Sequence, residues 1–147
     1  MKSQIVKVVT SLSFFALLCT AAHAQAAHQP LRAHVPFDFA VGREEMPAGD
    51  YEIRFVSTAT NLQTVQLVSL DGRASRLLQM SSVEGGKINE GGRMIFRRYG
   101  SLYFLSQVWE PAERTGLALR RSRAEREVEL AGGSRAALAT VQIALGK

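Results

Sequence analysis

The sequence predicts a mainly β protein, an antiparallel β-sandwich or small β-barrel of about seven strands with one short helix in its C-terminal half. Apolar and polar residues alternate along much of the chain, which is typical of strands that bury one face. Turn signals containing glycine separate these segments. The strand–helix alternation that a parallel sheet requires is missing from the pattern.

The first 24 residues have the three-part layout of a cleavable export signal. Met1 to Lys7 carries two lysines and no acid, and Val8 to Thr20 is almost wholly apolar. Ala22-His23-Ala24 then supplies small residues before a cut at Gln25. The apolar run is shorter than the about 20 residues that a membrane-spanning helix needs. We therefore expect residues 1–24 to be a signal peptide and the protein to work in the periplasm or outside the cell, with no transmembrane segment in the mature chain.

Cysteine content and charge limit the chemistry of the mature chain. The only cysteine, Cys19, lies in the predicted signal, and Leu18 precedes it where a lipoprotein usually has a small residue. Cleavage therefore leaves a chain without thiols, which excludes disulfides, thiolate catalysis and cysteine-bound metals. The mature chain keeps 16 basic and 13 acidic residues. This net charge of +3 indicates a mildly basic surface and no nucleic-acid partner.

The mature chain is predicted to contain a flexible lead over residues 25–33 and a single antiparallel β domain over residues 34–147. Strand alternation begins at His34 and continues to Val41. Pro36 cannot donate a ladder hydrogen bond, so this strand is expected to lie at an edge or to begin there.

Turn signals divide the middle of the domain. Strands are predicted over residues 51–56, 62–70 and 73–83, and Asp71-Gly72 is typical of a two-residue hairpin turn. Residues 84–92 contain four glycines among polar residues, which predicts a mobile loop. Because strand-like residues follow this loop, it is not expected to bind phosphate.

Residues 93–99 and 102–109 form the strongest hairpin prediction, with Gly100-Ser101 as the turn. Because both faces are partly apolar, we expect this hairpin to be central in the sheet, with Arg98 over the Tyr103 ring in a cation–π contact. A regular ladder would place Trp109 on the same face as three cross-strand pairs: Arg98–Tyr103, Phe96–Leu105 and Met94–Gln107.

One helix is predicted over Ser122 to Ala131, followed by a last strand over residues 137–145. Ser122 and Glu125 match a capping box, in which the serine accepts a backbone N–H and the glutamate reaches back to the cap. Gly132-Gly133 ends the helix. The face expected to pack on the sheet consists of Ala124, Val128 and Ala131.

Few residues have the types and spacing that catalysis requires. His28, His34 and Asp38 are a conceivable metal site, but loose histidines near the start of the mature chain are usually solvated, so no metal or cofactor is expected. The carboxylate pairs Glu44–Glu45 and Glu125–Glu129 show no sign of facing each other across a cleft. We therefore expect no catalytic site and no enzyme activity.

Arginine and aromatic residues provide the candidate binding surfaces. Five arginines lie between Arg114 and Arg126, and they form either an anion-binding face or a helix neutralised by ion pairs such as Arg121–Glu125 and Arg126–Glu129. Six residues are the candidates for a binding site: Arg98, Tyr103, Trp109, Arg120, Arg121 and Arg123.

Five segments carry a resemblance to a known group of proteins: Val35 to Gly42 (VPFDFAVG), Pro47 to Tyr51 (PAGDY), Phe96 to Gly100 (FRRYG), Tyr103 to Trp109 (YFLSQVW) and Ser122 to Glu127 (SRAERE). In these segments the chain resembles a group of small exported proteins of soil bacteria, mainly acidobacterial, that carry no assigned function. The resemblance implies a location in the cell envelope. It supplies no catalytic residues.

Together, these observations predict an exported, non-enzymatic β-domain that binds a protein or a cell-envelope component. Its contact surfaces are expected in the Arg114–Arg126 stretch and in the 84–92 loop. The alternative is a small carrier of apolar ligands, with a barrel cavity lined by Phe96, Leu105 and Trp109. An outer-membrane barrel would need longer strands of about ten residues with a lipid-facing apolar band.

Overall fold

The computed structural model describes residues 29–56, 62–86, 88, 90–132 and 139–146. The predicted signal peptide and residues 25–28 of the predicted lead lie outside the described residues. Residues 137 and 138 of the predicted last strand lie outside as well.

Ten strands and one helix are present in the described part of the chain. The strands are β1 (Leu31–Val35), β2 (Phe39–Val41), β3 (Glu44–Met46), β4 (Gly49–Val56), β5 (Leu62–Ser69), β6 (Ser75–Glu84), β7 (Gly92–Tyr99), β8 (Leu102–Trp109), β9 (Thr115–Ala118) and β10 (Ala139–Leu145). The helix, α1, is Arg123–Ala131. It is not long and apolar enough to cross a membrane. The prediction of a mainly β fold with one short helix is confirmed.

Eight strands form a ring in the order β1-β4-β5-β6-β9-β8-β7-β10, and neighbours in this order run antiparallel. The ring closes between β1 and β10, where Arg32 N–H donates to Gly146 O at 2.8 Å and Gly146 N–H donates to Arg32 O at 2.9 Å. The sheet is therefore barrel-like, joined at this one bridge. It also contains a parallel pair, because β2 lies beside β8 at Ala40 and Phe104.

Alternate residues of the strands point into the barrel and fill it. The β2–β3 hairpin contributes to the same core, since the Phe39 ring lies 5.3 Å from Tyr51 on β4 and 5.2 Å from Phe96 on β7. β4 and β7 lie on different sides of the ring, so Phe39 packs across the interior. Six core side chains have no exposed surface: Val35, Met46, Tyr51, Ile53, Met94 and Phe96.

The single strand predicted from His34 to Val41 is two strands in the structure. β1 ends immediately before Pro36, whose ring lacks the N–H that the ladder needs, and β2 pairs with β8 instead. β1 also begins earlier than predicted, because Leu31 and Ala33 are 6% and 5% exposed within the core. The lead therefore ends before Leu31, and the predicted boundary at residue 34 is wrong.

The predicted two-residue turn at Asp71-Gly72 is a four-residue loop. Ser69 N–H donates to Ala74 O at 2.8 Å, and Gly72 N–H donates back to Ser69 O at 3.0 Å. The Asp71 carboxylate stabilises this wider loop by accepting from the Ser69 hydroxyl at 2.5 Å and the Arg73 N–H at 2.9 Å. Gly72 has φ +75°, a conformation that favours glycine.

The capping prediction for α1 is half correct. Glu125 N–H donates to Ser122 Oγ at 3.0 Å, as the capping box requires. The Glu125 carboxylate does not reach back to the cap. The predicted apolar face is wrong, because Ala124 and Ala131 are exposed, whereas Glu125 is the buried residue of the helix.

Candidate functional site

The β7–β8 hairpin contains most of the candidate binding residues, and its turn was predicted correctly. Tyr99 pairs with Leu102 across Gly100-Ser101, and the Arg98–Tyr103 pair is also confirmed. Beyond the next predicted pair, Phe96–Leu105, the register shifts.

A β-bulge at Ser106 causes this shift. Ile95 pairs with Gln107 while Phe96 pairs with Leu105, so Ser106 is an extra residue on β8. Side chains alternate between faces along a strand, so one extra residue moves those beyond it to the opposite face. Met94 therefore pairs with Val108 rather than with Gln107.

The bulge places Trp109 outside the barrel core, contrary to the predicted shared face. Trp109 pairs with Arg93, whose guanidinium lies 5.3 Å from the indole ring centroid. The ring covers Gly116 and Gly85, where an added Cβ would lie within 2.6 Å of indole atoms. Indole N–H donates to Gln107 Oε1 at 2.9 Å. Trp109 is only 4% exposed, so its ring offers almost no surface to a partner.

The cavity predicted for an apolar-ligand carrier does not assemble from its three lining residues. Phe96 and Leu105 belong to the barrel core, whereas Trp109 packs on the outer face. Phe96 and Leu105 are 0% and 2% exposed, so both side chains are buried in the core.

Arg98 and Tyr103 do come together, and Phe37 joins them. The Arg98 guanidinium carbon lies 5.5 Å from the Tyr103 ring centroid, which confirms the predicted cation–π contact. The Phe37 and Tyr103 rings stack with centroids 3.9 Å apart and planes 16° from parallel. We call Phe37, Arg98 and Tyr103 the aromatic–arginine cluster. Sequence reasoning placed Phe37 only in a strand, because no local signal indicated its distant stacking partner.

Several contacts hold the aromatic–arginine cluster in place. Phe37 also packs edge-on against Phe96 in the core, with ring centroids 5.3 Å apart. Arg98 Nε donates to Gly100 O at 2.7 Å, which ties the guanidinium to the hairpin turn. Leu102, 48% exposed, precedes Tyr103 on β8 and therefore points to the opposite face of the hairpin. The cluster thus combines fixed rings and a cation.

The helix arginines are largely neutralised by neighbouring carboxylates. Arg121 Nη1 donates to Glu129 at 2.9 Å, and Arg123 Nε donates to Glu127 at 2.8 Å. The predicted pairs Arg121–Glu125 and Arg126–Glu129 do not form, since Glu129 and Glu125 have other partners. Arg120 is exposed at the start of the segment that leads into the helix.

The Arg114–Arg126 stretch is not one continuous surface, because β9 separates Arg114 from the arginines near the helix. Arg114 instead lies beside the glycine-rich loop, where its carbonyl accepts from Gly85 N–H at 2.9 Å. Two segments predicted as contact surfaces therefore meet at this point. Residues 87 and 89 of the loop lie outside the described residues.

Glu125 forms a buried polar contact that the sequence did not indicate. Its carboxylate accepts two hydrogen bonds from the Arg97 guanidinium, one of them from Nη2 at 3.1 Å, and one from Tyr99 OH at 3.2 Å. Burial and the nearby Glu125 carboxylate raise the pKa of Tyr99. Both carboxylate oxygens of Glu125 have a donor, so this contact anchors α1 to the hairpin.

The remaining candidates form no reactive centre in the part of the chain that the structure describes. No group of three or more His, Cys, Asp or Glu side chains there could hold a metal ion. His34 Nδ1 lies 2.8 Å from Asp50 Oδ1, Asp38 accepts from Ala48 N–H at 2.7 Å, and His28 lies outside the described residues.

The fold and its surface define a small barrel-like β-domain with one helix anchored on its outer face. No protein-family model, curated protein or solved structure matches this chain.

Proposed function

We propose that this chain is an exported, non-enzymatic β-domain that binds a protein or a cell-envelope component through the aromatic–arginine cluster. The contact that supports this proposal is the Tyr103 ring, which stacks on Phe37 and also lies under the Arg98 guanidinium. The three-part N-terminal sequence and the resemblance to exported soil-bacterial proteins support the location.

The composition and rigidity of the cluster favour binding. Tyrosine and arginine are enriched among the residues that contribute most to protein interfaces. The stack and the hydrogen bond to Gly100 already hold Tyr103 and Arg98 in place, so little side-chain freedom remains to be lost on binding.

A protein partner fits this surface better than an anionic membrane or glycan. Anionic surfaces attract clusters of unpaired cations. Around α1, however, Arg121 and Arg123 each contact a carboxylate on that helix, so their charges are already paired. The cluster itself contributes a single cation among apolar rings.

Site-specific photo-crosslinking in cells tests the proposal. A photoreactive amino acid at Ala139, which is exposed and pairs with Arg98, should crosslink the exported chain to a discrete partner, and the product should weaken at least fivefold in an Arg98→Glu background. Leu77, 68% exposed on β6, is the matched control site and should give no such product. Products that are equally strong at both positions, or unchanged by Arg98→Glu, would rule out this surface.

A further inference from the structure

The buried contact between Glu125 and the hairpin has the geometry of a carboxylate held in a binding site. The Arg97 guanidinium donates to both carboxylate oxygens, and the Tyr99 hydroxyl donates to one of them at 3.2 Å. Two hydrogen bonds from one guanidinium are a strong and geometrically specific way to bind a carboxylate. The Tyr99 and Phe104 rings lie edge to face with centroids 5.8 Å apart, so apolar surface borders the polar groups. The site therefore suits a carboxylate that carries a flat apolar group.

The barrel side of this site is fixed by the sheet. β7 pairs with β8 along one edge and with β10 along the other, and Arg97 lies opposite Phe104 and Thr140. Tyr99 pairs with β8 directly beside the hairpin turn and is itself buried. Because the ladders on both edges hold β7, the donors stay in place whichever carboxylate they bind. Such preorganisation lowers the free-energy cost of binding.

The helix side of this site is attached mainly through one side chain. All nine residues of α1 belong to the described part of the chain, and Glu125 is the only one that is buried. Leu130 is exposed, and the Arg123–Glu127 ion pair lies within the helix and includes no barrel residue. A helix of this length is marginal in water without packing. Loss of the Glu125 contact is therefore expected to release α1 while the strands stay paired.

We propose that Arg97 and Tyr99 form a binding site for small carboxylic acids with a flat apolar group, and that Glu125 occupies this site while no ligand is bound. The ligand carboxylate replaces the Glu125 carboxylate, and α1 leaves the barrel. The exchange puts one carboxylate in place of another, so the Arg97 guanidinium keeps a counter-charge throughout. This matters because a charge left unpaired in such a buried site is strongly destabilising.

The carboxylate site is separate from the aromatic–arginine cluster. Arg97 and Arg98 are neighbours on β7, so their side chains point to opposite faces of the sheet. The inference therefore does not depend on the partner proposed above. Glu125 is tethered beside the site and competes with any free ligand at a high effective concentration. A free carboxylate should consequently bind more tightly to a variant without Glu125 than to the wild-type chain.

Thermal unfolding with benzoate as the probe tests the site directly. Glu125→Ala leaves the Arg97 guanidinium without its carboxylate. Sodium benzoate should then raise the melting temperature of this variant by about 3–6 °C over sodium chloride at equal ionic strength. Glu127→Ala, which removes an exposed carboxylate from the same helix, is the matched control and should show no such rise. Equal responses of the two variants, or no response of Glu125→Ala, would overturn the proposal.

Amide hydrogen exchange of the wild-type chain tests the displacement of α1 and needs no variant to fold. Benzoate should speed exchange of residues 123–131 by about fivefold or more relative to chloride, and it should leave β7 unchanged, because the ligand releases the helix and not the strand. Equal exchange of α1 in the two salts would show that Glu125 is a permanent anchor and reject the proposal. Faster exchange throughout the barrel would show general destabilisation and also reject it.

Discussion

Glu125 of α1 lies against Arg97 of β7, and this pair fastens the helix to the barrel. The Glu125 residue is 2% exposed, and its carboxylate accepts from both the Arg97 guanidinium and the Tyr99 hydroxyl. Most surface helices dock through an apolar stripe. Here Leu130 is 81% exposed, so a charged contact takes the place of that stripe.

Glu125→Gln should destabilise the protein by about 3 kcal/mol, because removing one member of a buried pair leaves the other charge without compensation. Denaturant unfolding measures the loss, and hydrogen exchange of residues 123–131 should show that α1 opens more readily than the barrel strands.

Glu127→Gln is the matched control, since Glu127 pairs with Arg123 on the exposed side of the same helix. Glu127→Gln should change the free energy of unfolding by no more than about 0.5 kcal/mol. Similar losses for the two variants would show that burial of Glu125 does not matter to the docking of α1.

Gly116→Ala should destabilise the barrel by about 1–3 kcal/mol, the usual cost of overpacking. The added Cβ would lie 2.4 Å from an indole atom of Trp109, so the ring must move. Trp109 is the only tryptophan, and a shift of its emission maximum reports that movement directly.

For comparison, Gly91→Ala adds the same methyl group where no atom lies within 4 Å. This variant should retain wild-type stability and emission. An unshifted emission in Gly116→Ala would contradict the contact between the ring and the glycine.

Tyr51 should make the protein sensitive to alkali. Burial, followed by the charges of Asp71 and Asp38, raises the pKa of Tyr51 to about 12. An unfolded tyrosine loses its proton near pH 10. The native state binds more protons than the unfolded state between these values, so the contribution of Tyr51 to stability falls as pH rises from about 10 to about 12.

Tyr51→Phe removes both the titration and the hydrogen bond from the hydroxyl to Pro47 O. The variant should be about 1 kcal/mol less stable near neutral pH. Urea unfolding across the alkaline range should show this difference vanish and then reverse in sign before pH 12, because one pKa unit corresponds to about 1.4 kcal/mol. A difference that is constant with pH would contradict the raised pKa.

Asp71 should contribute to sensitivity at the acidic end. Hydrogen bonds from the Ser69 hydroxyl and the Arg73 N–H lower the pKa of Asp71. Its stabilising effect is therefore complete above the unfolded pKa of about 3.9 and is lost as pH falls through the lower folded value. Asp71→Asn lacks the ionisable carboxyl and therefore this pH-dependent stabilisation. The variant should have a lower free energy of unfolding than wild type near neutral pH, and the gap between the two should narrow as pH falls. Glu113→Gln removes an exposed carboxylate outside the turn and controls for net charge.

Local sequence signals located most of the strands and the helix start. The alternation of Tyr51, Ile53 and Phe55 marked β4, and Gly100-Ser101 marked the tightest hairpin, since both features depend on neighbours within a few residues. The same reasoning identified Arg98–Tyr103, because that pair lies directly beside the turn. It failed at Trp109, where the bulge at Ser106 intervenes.

By itself, the sequence determined which segments are extended, where the helix begins and that a cleaved chain would have no thiol. The tertiary structure decided which strands pair and that the sheet closes at Arg32 and Gly146. It also decided that the Glu125 carboxylate binds the Arg97 guanidinium instead of the backbone N–H of the N-cap residue Ser122. Periodicity and capping are local properties, whereas register, closure and burial depend on contacts between residues far apart in the chain. A single extra residue at Ser106 was enough to move Trp109 from the predicted inner face to the outer one.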